Sequence, residues 1–305
     1  MTTKKILITG GSGFIGTHLT RLLLDQGHHV TILDLNSSTL THPHLIDLNG
    51  DIRNSKDIER AITSDLDYIF HLAAIVSVPE CEKNPELSFE TNLLGTQNIL
   101  NRLVEIKSQK TIPIFFSSSA AVYGDLCKPG HKLNEREHLP KPLSFYGLHK
   151  YASEQSIRLY CENLGLRGFS FRFFNVYGPG QKPDSPYSGV ITIFKKAMDE
   201  GTGIKLFNHG KNIRDFIHVS EIAKGCILAM QTSVDQMNGE SLNFCTGKEI
   251  SIQHLFDLMS STKGPANKVT LLPARSGDIE YSCGDATFAD SKIGFKPKTD
   301  LNLNW

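Results

Sequence analysis

An open α/β fold, with a parallel sheet wound by helices on both faces, is the class that this sequence predicts. Three observations carry the prediction. Short apolar strands alternate with amphipathic helical stretches as far as about residue 175. A glycine cluster, "TGGSGFIG", lies between the first strand and the first helix. An acidic residue, Asp34, closes the second strand.

The elements follow in order. "KKILITGG" is a strand running into glycines. "GFIGTHLTRLLLDQG" is a helix, with Ile15, Leu19, Leu22 and Leu23 on one face and Gly27 at its stop. "HHVTILD" is the second strand and "LIDLNGD" a weaker third; "SKDIERAITS" is helical and "LDYIFHLAA" a buried strand. "PELSFETNLLGTQNILNRLVEIK" reads as one long amphipathic helix after Pro85. "IPIFFSSS" is a strand, a helix surrounds Tyr146, and "GFSFRFFNVYG" is one more strand. Beyond it, "GPGQKPDSPYSG" is Pro- and Gly-rich and predicts a loop or a domain junction. Shorter elements follow: "GIKLFN", the helix "SEIAKGCILAM", the strand "SLNFCTG", the helix "SIQHLFDLMSS" and the strand "KVTLLPA". They predict a smaller α/β cap at the C-terminal side of the sheet, where ligands of open α/β sheets bind.

Bulk composition narrows the classes. The chain has 305 residues, enough for a large core, and its 32 basic and 32 acidic residues balance to zero net charge. Nothing suggests a nucleic-acid surface or a polybasic membrane patch. No apolar run reaches the ~20 residues of a membrane span, and the N-terminal apolar stretch is too short for a signal-peptide core. The six cysteines are scattered, with no C-x-x-C pair. Reduced thiols in a cytoplasmic protein are therefore expected, with neither a disulfide frame nor a metal site.

In the glycine cluster Gly10, Gly13 and Gly16 are spaced G-x-x-G-x-x-G. Glycines there let the backbone approach a pyrophosphate, and the helix N-terminus beyond offers free N–H groups and a positive dipole end. A plain strand-to-helix turn would also use glycines. Asp34 tips the balance, because an acid at the end of the second strand accepts bonds from the adenosine ribose of NAD and repels the 2′-phosphate of NADP. A Rossmann-type doubly wound sheet binding NAD is therefore expected over 1–175. The chain is expected to return to that domain near 214–245, and 176–305 to form mainly a substrate-binding region.

"SFYGLHK" places Tyr146 four residues before Lys150, one helical turn apart on one face. A phenol with a pKa near 10 is a poor base, and a neighbouring ammonium lowers that pKa. On its own the spacing fits an ordinary amphipathic helix equally well.

"TGGSGFIG", "GDI", "HLAA", "TNLLGT", "SSSAAVYG", "YGLHK", "RFFNVYGPG" and "RDFIHV" occur in this order along nearly the whole chain. Together they resemble the extended short-chain dehydrogenase/reductase family, and within it the UDP-hexose 4-epimerases. The resemblance implies a catalytic set of Ser119, Tyr146 and Lys150, with the phenolate as base and the lysine on the nicotinamide ribose. It implies that Phe14 and Ile15 meet the pyrophosphate, Asp51 and Ile52 the adenine, and Leu72, Ala73 and Ala74 the length of the dinucleotide. Phe174 would close over the nicotinamide, and Asn92 would either touch the cofactor or tie strand to helix. On the substrate side it implies Ser77, Asn175, Val190, Leu206, Phe207, Arg214, Arg275, Asp278 and Ser282, with the arginines on the diphosphate and Leu206–Phe207 on the uracil. Arg275 also reads as an ordinary surface arginine, and Leu206 and Phe207 as buried strand residues.

The implied activity is redox-neutral 4-epimerisation of a UDP-hexose through a transient 4-keto sugar, by a homodimer holding NAD tightly. The family's 4,6-dehydratases carry an acid pair where this chain has Ala120 and Ala121. The remaining alternatives are a nucleotide-sugar decarboxylase or reductase, or an NAD-sensing regulator without activity. Ser282, four residues after Asp278, matches the position that limits room at the sugar C2 substituent. A serine there implies space for an N-acetyl group, so UDP-GlcNAc and UDP-GalNAc are expected alongside UDP-Glc and UDP-Gal. "SVP" at 77–79 resembles the same group of epimerases, and a register shifted by one would put Tyr281 at that position instead.

Overall fold

The computed structural model describes residues 2–181, 189–263, 268–275 and 278–303. Chain order begins β1 (Lys5–Thr9), α1 (Phe14–Asp25), β2 (His29–Asp34), β3 (Leu45–Asn49), α2 (Ser55–Ala61), β4 (Tyr68–His71) and α3 (Val78–Lys83). Then come α4 (Pro85–Ser88), a π-helical turn (Phe89–Leu94) and α5 (Gly95–Ile106), followed by β5 (Ile114–Ser119), α6 (Phe145–Leu164), β6 (Gly168–Phe173) and β7 (Asn175–Tyr177). The rest comprises α7 (Val190–Asp199), β8 (Gly203–Leu206), β9 (Ile213–Arg214), β10 (Phe216–His218), α8 (Val219–Gln231), β11 (Asn238–Phe244), β12 (Ile250–Ser251), α9 (Ile252–Lys263), β13 (Lys268–Leu271) and α10 (Thr287–Ile293).

Seven strands form one parallel sheet in the order β11-β6-β5-β4-β1-β2-β3. The order reverses beside β1, and ligands of such sheets bind at the strand carboxyl ends near that point. Alternation along the strands explains the two helical layers. Ile6 and Ile8 of β1 join the core of α1, α8 and α10, while Leu7 joins that of α2, α5 and α6.

A separate small core holds Ile191 and Phe194 of α7, Leu206 of β8, and Leu255 and Met259 of α9. It is framed by the short pairs β10-β7, β12-β9 and β13-β8.

Three sequence expectations need revision. "GFSFRFFNVYG" is not one strand: Phe174 separates β6, in the main sheet, from β7, which pairs with β10. The long helix after Pro85 is interrupted by the π-helical turn. α3, α7 and α10 form where the sequence suggested no helix. The loop expected over 178–189 falls in large part on 182–188, outside the described residues.

Candidate active site

The glycine loop is shaped by contact. Gly10 has φ +73°, and a Cβ on it would stand 2.6 Å from the Ala73 nitrogen; one on Gly16 would stand 2.3 Å from the Gly10 carbonyl oxygen. No other residue fits either position without displacing backbone. Gly13 precedes α1 in extended conformation and gives it no side-chain cap. The first N–H groups of α1, from Phe14 and Ile15 onward, are thus free of a cap, as an anion cradle requires. Asp34 binds the loop itself: its carboxylate accepts from the Ser12 N–H at 3.1 Å and the Asn36 N–H at 3.0 Å. These features fit the diphosphate and ribose of a dinucleotide.

The neighbouring strand ends fill in that half of the site. Leu72 packs on the core beneath the sheet, and the Ala73 N–H donates to Thr9 Oγ1 at 3.3 Å. Ala74 is half-buried beside it. Ile52 is buried, and the Asp51 carboxylate is held by the Arg53 guanidinium at 2.6 Å. Asn92 spends both amide arms on the backbone of Ile75, accepting its N–H at 2.8 Å and donating to its carbonyl at 2.9 Å. These bonds tie the loop after β4 to the π-helical turn. Phe174 is buried with Val122, Tyr123 and Cys283.

Ser119 ends β5, and its hydroxyl accepts from the Ala121 N–H at 3.2 Å. Ser144 caps α6 by accepting from Gly147 at 3.1 Å, which sets Tyr146 in the first turn and Lys150 one turn on. Both side chains are buried, and the half-buried Ser119 hydroxyl lies beside the Tyr146 phenol. Burial pushes that phenol up to about 12 against the opposing pull of the neighbouring Ser119 hydroxyl. Lys150 donates to the Ser117 carbonyl at 2.6 Å, and its Nζ lies 6.0 Å from the Tyr146 ring centre. Burial pushes its ammonium down to about 7. Lys150 makes no hydrogen bond to the phenol, and in the protein alone burial is the largest influence on the phenol.

The substrate-side residues gather around the cap. Asn175 donates both its backbone and side-chain N–H to the Asp215 carbonyl, at 3.0 and 3.1 Å. Arg214 pairs with Asp278 at 3.1 Å. Arg275 is exposed and lies over the Phe207 ring, 3.3 Å from its centre. Leu206 is fully buried in the small core, Val190 opens α7 on its edge, and Ser77 caps α3 by accepting from Glu80 at 3.2 Å. Ser282 donates its N–H to the Ile213 carbonyl at 3.1 Å, and Tyr281 donates its hydroxyl to Glu249 at 2.7 Å.

Several supporting residues escaped the sequence reading. The buried His71 ring lies 2.7 Å from Thr9 Oγ1 and 3.0 Å from Thr96 Oγ1. Glu154, buried against Arg172 at 2.7 Å, also receives the Ser118 hydroxyl. Its position four residues after Lys150 was the available signal. Asp215 is buried and gathers the N–H groups of Thr246 and Gly247, at 2.9 and 2.8 Å; no spacing in the sequence points to it.

A free helix N-terminus behind glycines, an acid at the end of β2 and a strand-end serine beside a buried tyrosine define a dinucleotide-binding enzyme of the doubly wound class. Residues 6–245 match the model of the NAD dependent epimerase/dehydratase family, and the chain belongs to that family. It is 34% identical over 310 residues to a putative UDP-glucose 4-epimerase of Methanocaldococcus jannaschii, covering 98% of this chain and 97% of that one. Its fold matches a UDP-N-acetylglucosamine 4-epimerase of Methanobrevibacter ruminantium in complex with UDP-N-acetylmuramic acid, with TM-score 0.89 and 34% identity over 98% of this chain and 94% of that one. It also matches the UDP-glucose 4-epimerase of Thermus thermophilus in complex with NAD, with TM-score 0.86 and 29% identity over 97% and 95% of the two chains. The chain is an NAD-dependent epimerase of this family. Among the described residues no helix is long and apolar enough to cross a membrane, and no cluster of side chains could hold a metal ion.

Proposed function

We propose that the protein interconverts the C4 epimers of UDP-hexoses, acts on UDP-GlcNAc and UDP-GalNAc at least as well as on UDP-Glc and UDP-Gal, and works as a homodimer. The observation that carries this reading is the meeting of Ser119, at the carboxyl end of β5, with the buried Tyr146 phenol in the first turn of α6, with the buried Lys150 one turn along. Ser119 orients the sugar 4-hydroxyl, and the Tyr146 oxygen takes its proton and later returns it. NAD held at this site would supply a hydride acceptor and donor at C4, so that the cycle has no net redox change. Lys150 would meet the nicotinamide ribose, and the glycine loop with Asp34 would hold the rest of the dinucleotide. Ala120 and Ala121 supply no second acid or base, which leaves elimination of water without a proton donor.

The breadth toward N-acetylated sugars is supported by the strap at 280–282. The Ile213 N–H bonds the Glu280 carbonyl and the Ser282 N–H bonds the Ile213 carbonyl, so the strap runs as a parallel strand along β9 with Tyr281 opposite Ile213. Neighbours on a strand face opposite sides. Tyr281 is tied to Glu249, and by that alternation Ser282 would face the other side, that of Arg214.

The test is incubation of the purified protein with single UDP-sugars, without added NAD, followed by separation of the epimers. Both pairs should equilibrate. Accumulation of reduced cofactor, release of carbon dioxide, or no turnover of any UDP-hexose would overturn the reading.

A further inference from the structure

The turn after β8 holds the only non-glycine residues with positive φ among the described residues, Asn208 at 49° and His209 at 51°. A left-handed backbone is unfavourable for such residues and persists where the surroundings hold it. What holds Asn208 is a line of polar side chains. Its Nδ2 donates to Asn212 Oδ1 at 2.7 Å, and Asn212 Nδ2 donates to Asp278 Oδ2 at 2.8 Å. The other Asp278 oxygen accepts from Arg214 at 3.1 Å. Asn212 is 4% exposed, so this line is shielded from water for part of its length. It joins the turn carrying Phe207 to Arg214. On its far side the turn is pinned by the His209 N–H to the Leu272 carbonyl at 3.1 Å, on the segment that leads to Arg275.

An aspartate beside an arginine prefers a two-oxygen, fork-to-fork contact. Here Asn212 takes one oxygen of Asp278, and Arg214 contacts only the other. Arg214 is left with a single-oxygen contact to the acid and one bond to the Ile213 carbonyl at 2.9 Å. A guanidinium has five N–H donors, so it keeps donors for a further anion.

We propose that Asn208 and Asn212 are positioning residues for the nucleotide half of the substrate. They hold Asp278 to one oxygen, keep Arg214 open to the diphosphate, and fix the base-side turn in the same frame. This rests on the assignment of Arg214 and Leu206–Phe207 to the nucleotide, and the test separates the two.

UDP is titrated calorimetrically into the NAD-loaded protein. Wild type must bind UDP, and Arg214→Met must weaken it; failure of either removes the nucleotide assignment and the proposal with it. If both hold, Asn212→Ala should weaken UDP about tenfold, the size of one hydrogen bond to a charged group, with kcat at saturation within about twofold of wild type. Asn208→Gly relieves the backbone and should leave Tm equal or higher, yet UDP should still bind several-fold more weakly. A merely structural turn gives the opposite pattern. Wild-type UDP affinity in Asn208→Gly overturns the proposal even where Asn212→Ala fails to fold.

Discussion

Tyr146 and Lys150 share a face of α6 without touching, and burial moves both away from the charge state the reaction needs. The phenol is pushed up to about 12 and the ammonium down to about 7. The oxidised nicotinamide supplies a fixed positive charge when bound, which opposes the desolvation of the phenolate. Tyr146→Phe should therefore lower kcat by at least ~10²–10⁴, the range of acid–base catalysis, while the purified variant still carries NAD by its absorbance. Lys150 carries a cost of its own. Its folded pKa lies below its unfolded value near 10.5. The stability linked to it is thus complete above pH 10.5 and is lost as pH falls toward 7. Lys150→Met removes this loss. NAD-free Lys150→Met should melt a few degrees above NAD-free wild type at pH 7, with the gap narrowing at pH 9.5 and activity lost at both. A gap that does not change with pH would show that packing, rather than charge, is responsible.

Among the elements, those that repeat a period were readable and those fixed by distant partners were not. β1, α1 and β5 announce themselves through apolar periodicity, so the glycine loop and Ser119 could be placed at their ends, and the Tyr146–Lys150 pair on a following helix. β7, β9 and β12 span two or three residues each and exist because β10, β12 and β9 pair with them. No local pattern encodes such pairing. α7 has a buried stripe of Ile191, Phe194 and Ala197, but it follows directly on a Pro- and Gly-rich stretch that dominates the local reading. The direction of the Lys150 ammonium, toward Ser117, depends on how α6 settles against β5 and has no sequence signature. The strap along β9 carries the prediction that belongs at this scale. Ser282→Tyr adds a ring on the side of Arg214 and should selectively abolish turnover of UDP-GlcNAc and UDP-GalNAc while sparing UDP-Glc and UDP-Gal. Equal losses for both pairs, measured as kcat/KM, would place the pocket elsewhere.

For the whole molecule, the sheet leaves one flank unaccounted for. α5 and α6 cover the layer built on Leu7, Ile69 and Phe116, and their inner residues Ile99, Leu103 and Ile157 are buried. On the outer side of α6, Leu148 and Leu159 are 48% and 44% exposed, and Leu94, just before α5, is 42% exposed. Leu148 and Leu159 stand eleven positions apart, close to three full turns at 3.6 residues each, so they share one stripe. A stripe of leucines on a long helix facing water is unfavourable unless another surface covers it. A second copy of the chain, meeting it through the same two helices about a twofold axis, would bury both stripes at once. The same α6 carries Tyr146 and Lys150 on its inner face, so the homodimer would also brace the helix that holds the base. Light scattering on the eluting protein should give a mass of two chains. Leu159→Glu should shift it toward one chain, with kcat falling less than in Tyr146→Phe because the site lies within a single chain. A wild-type protein that elutes as one chain at micromolar concentration, fully active, would remove this use of the α5–α6 flank.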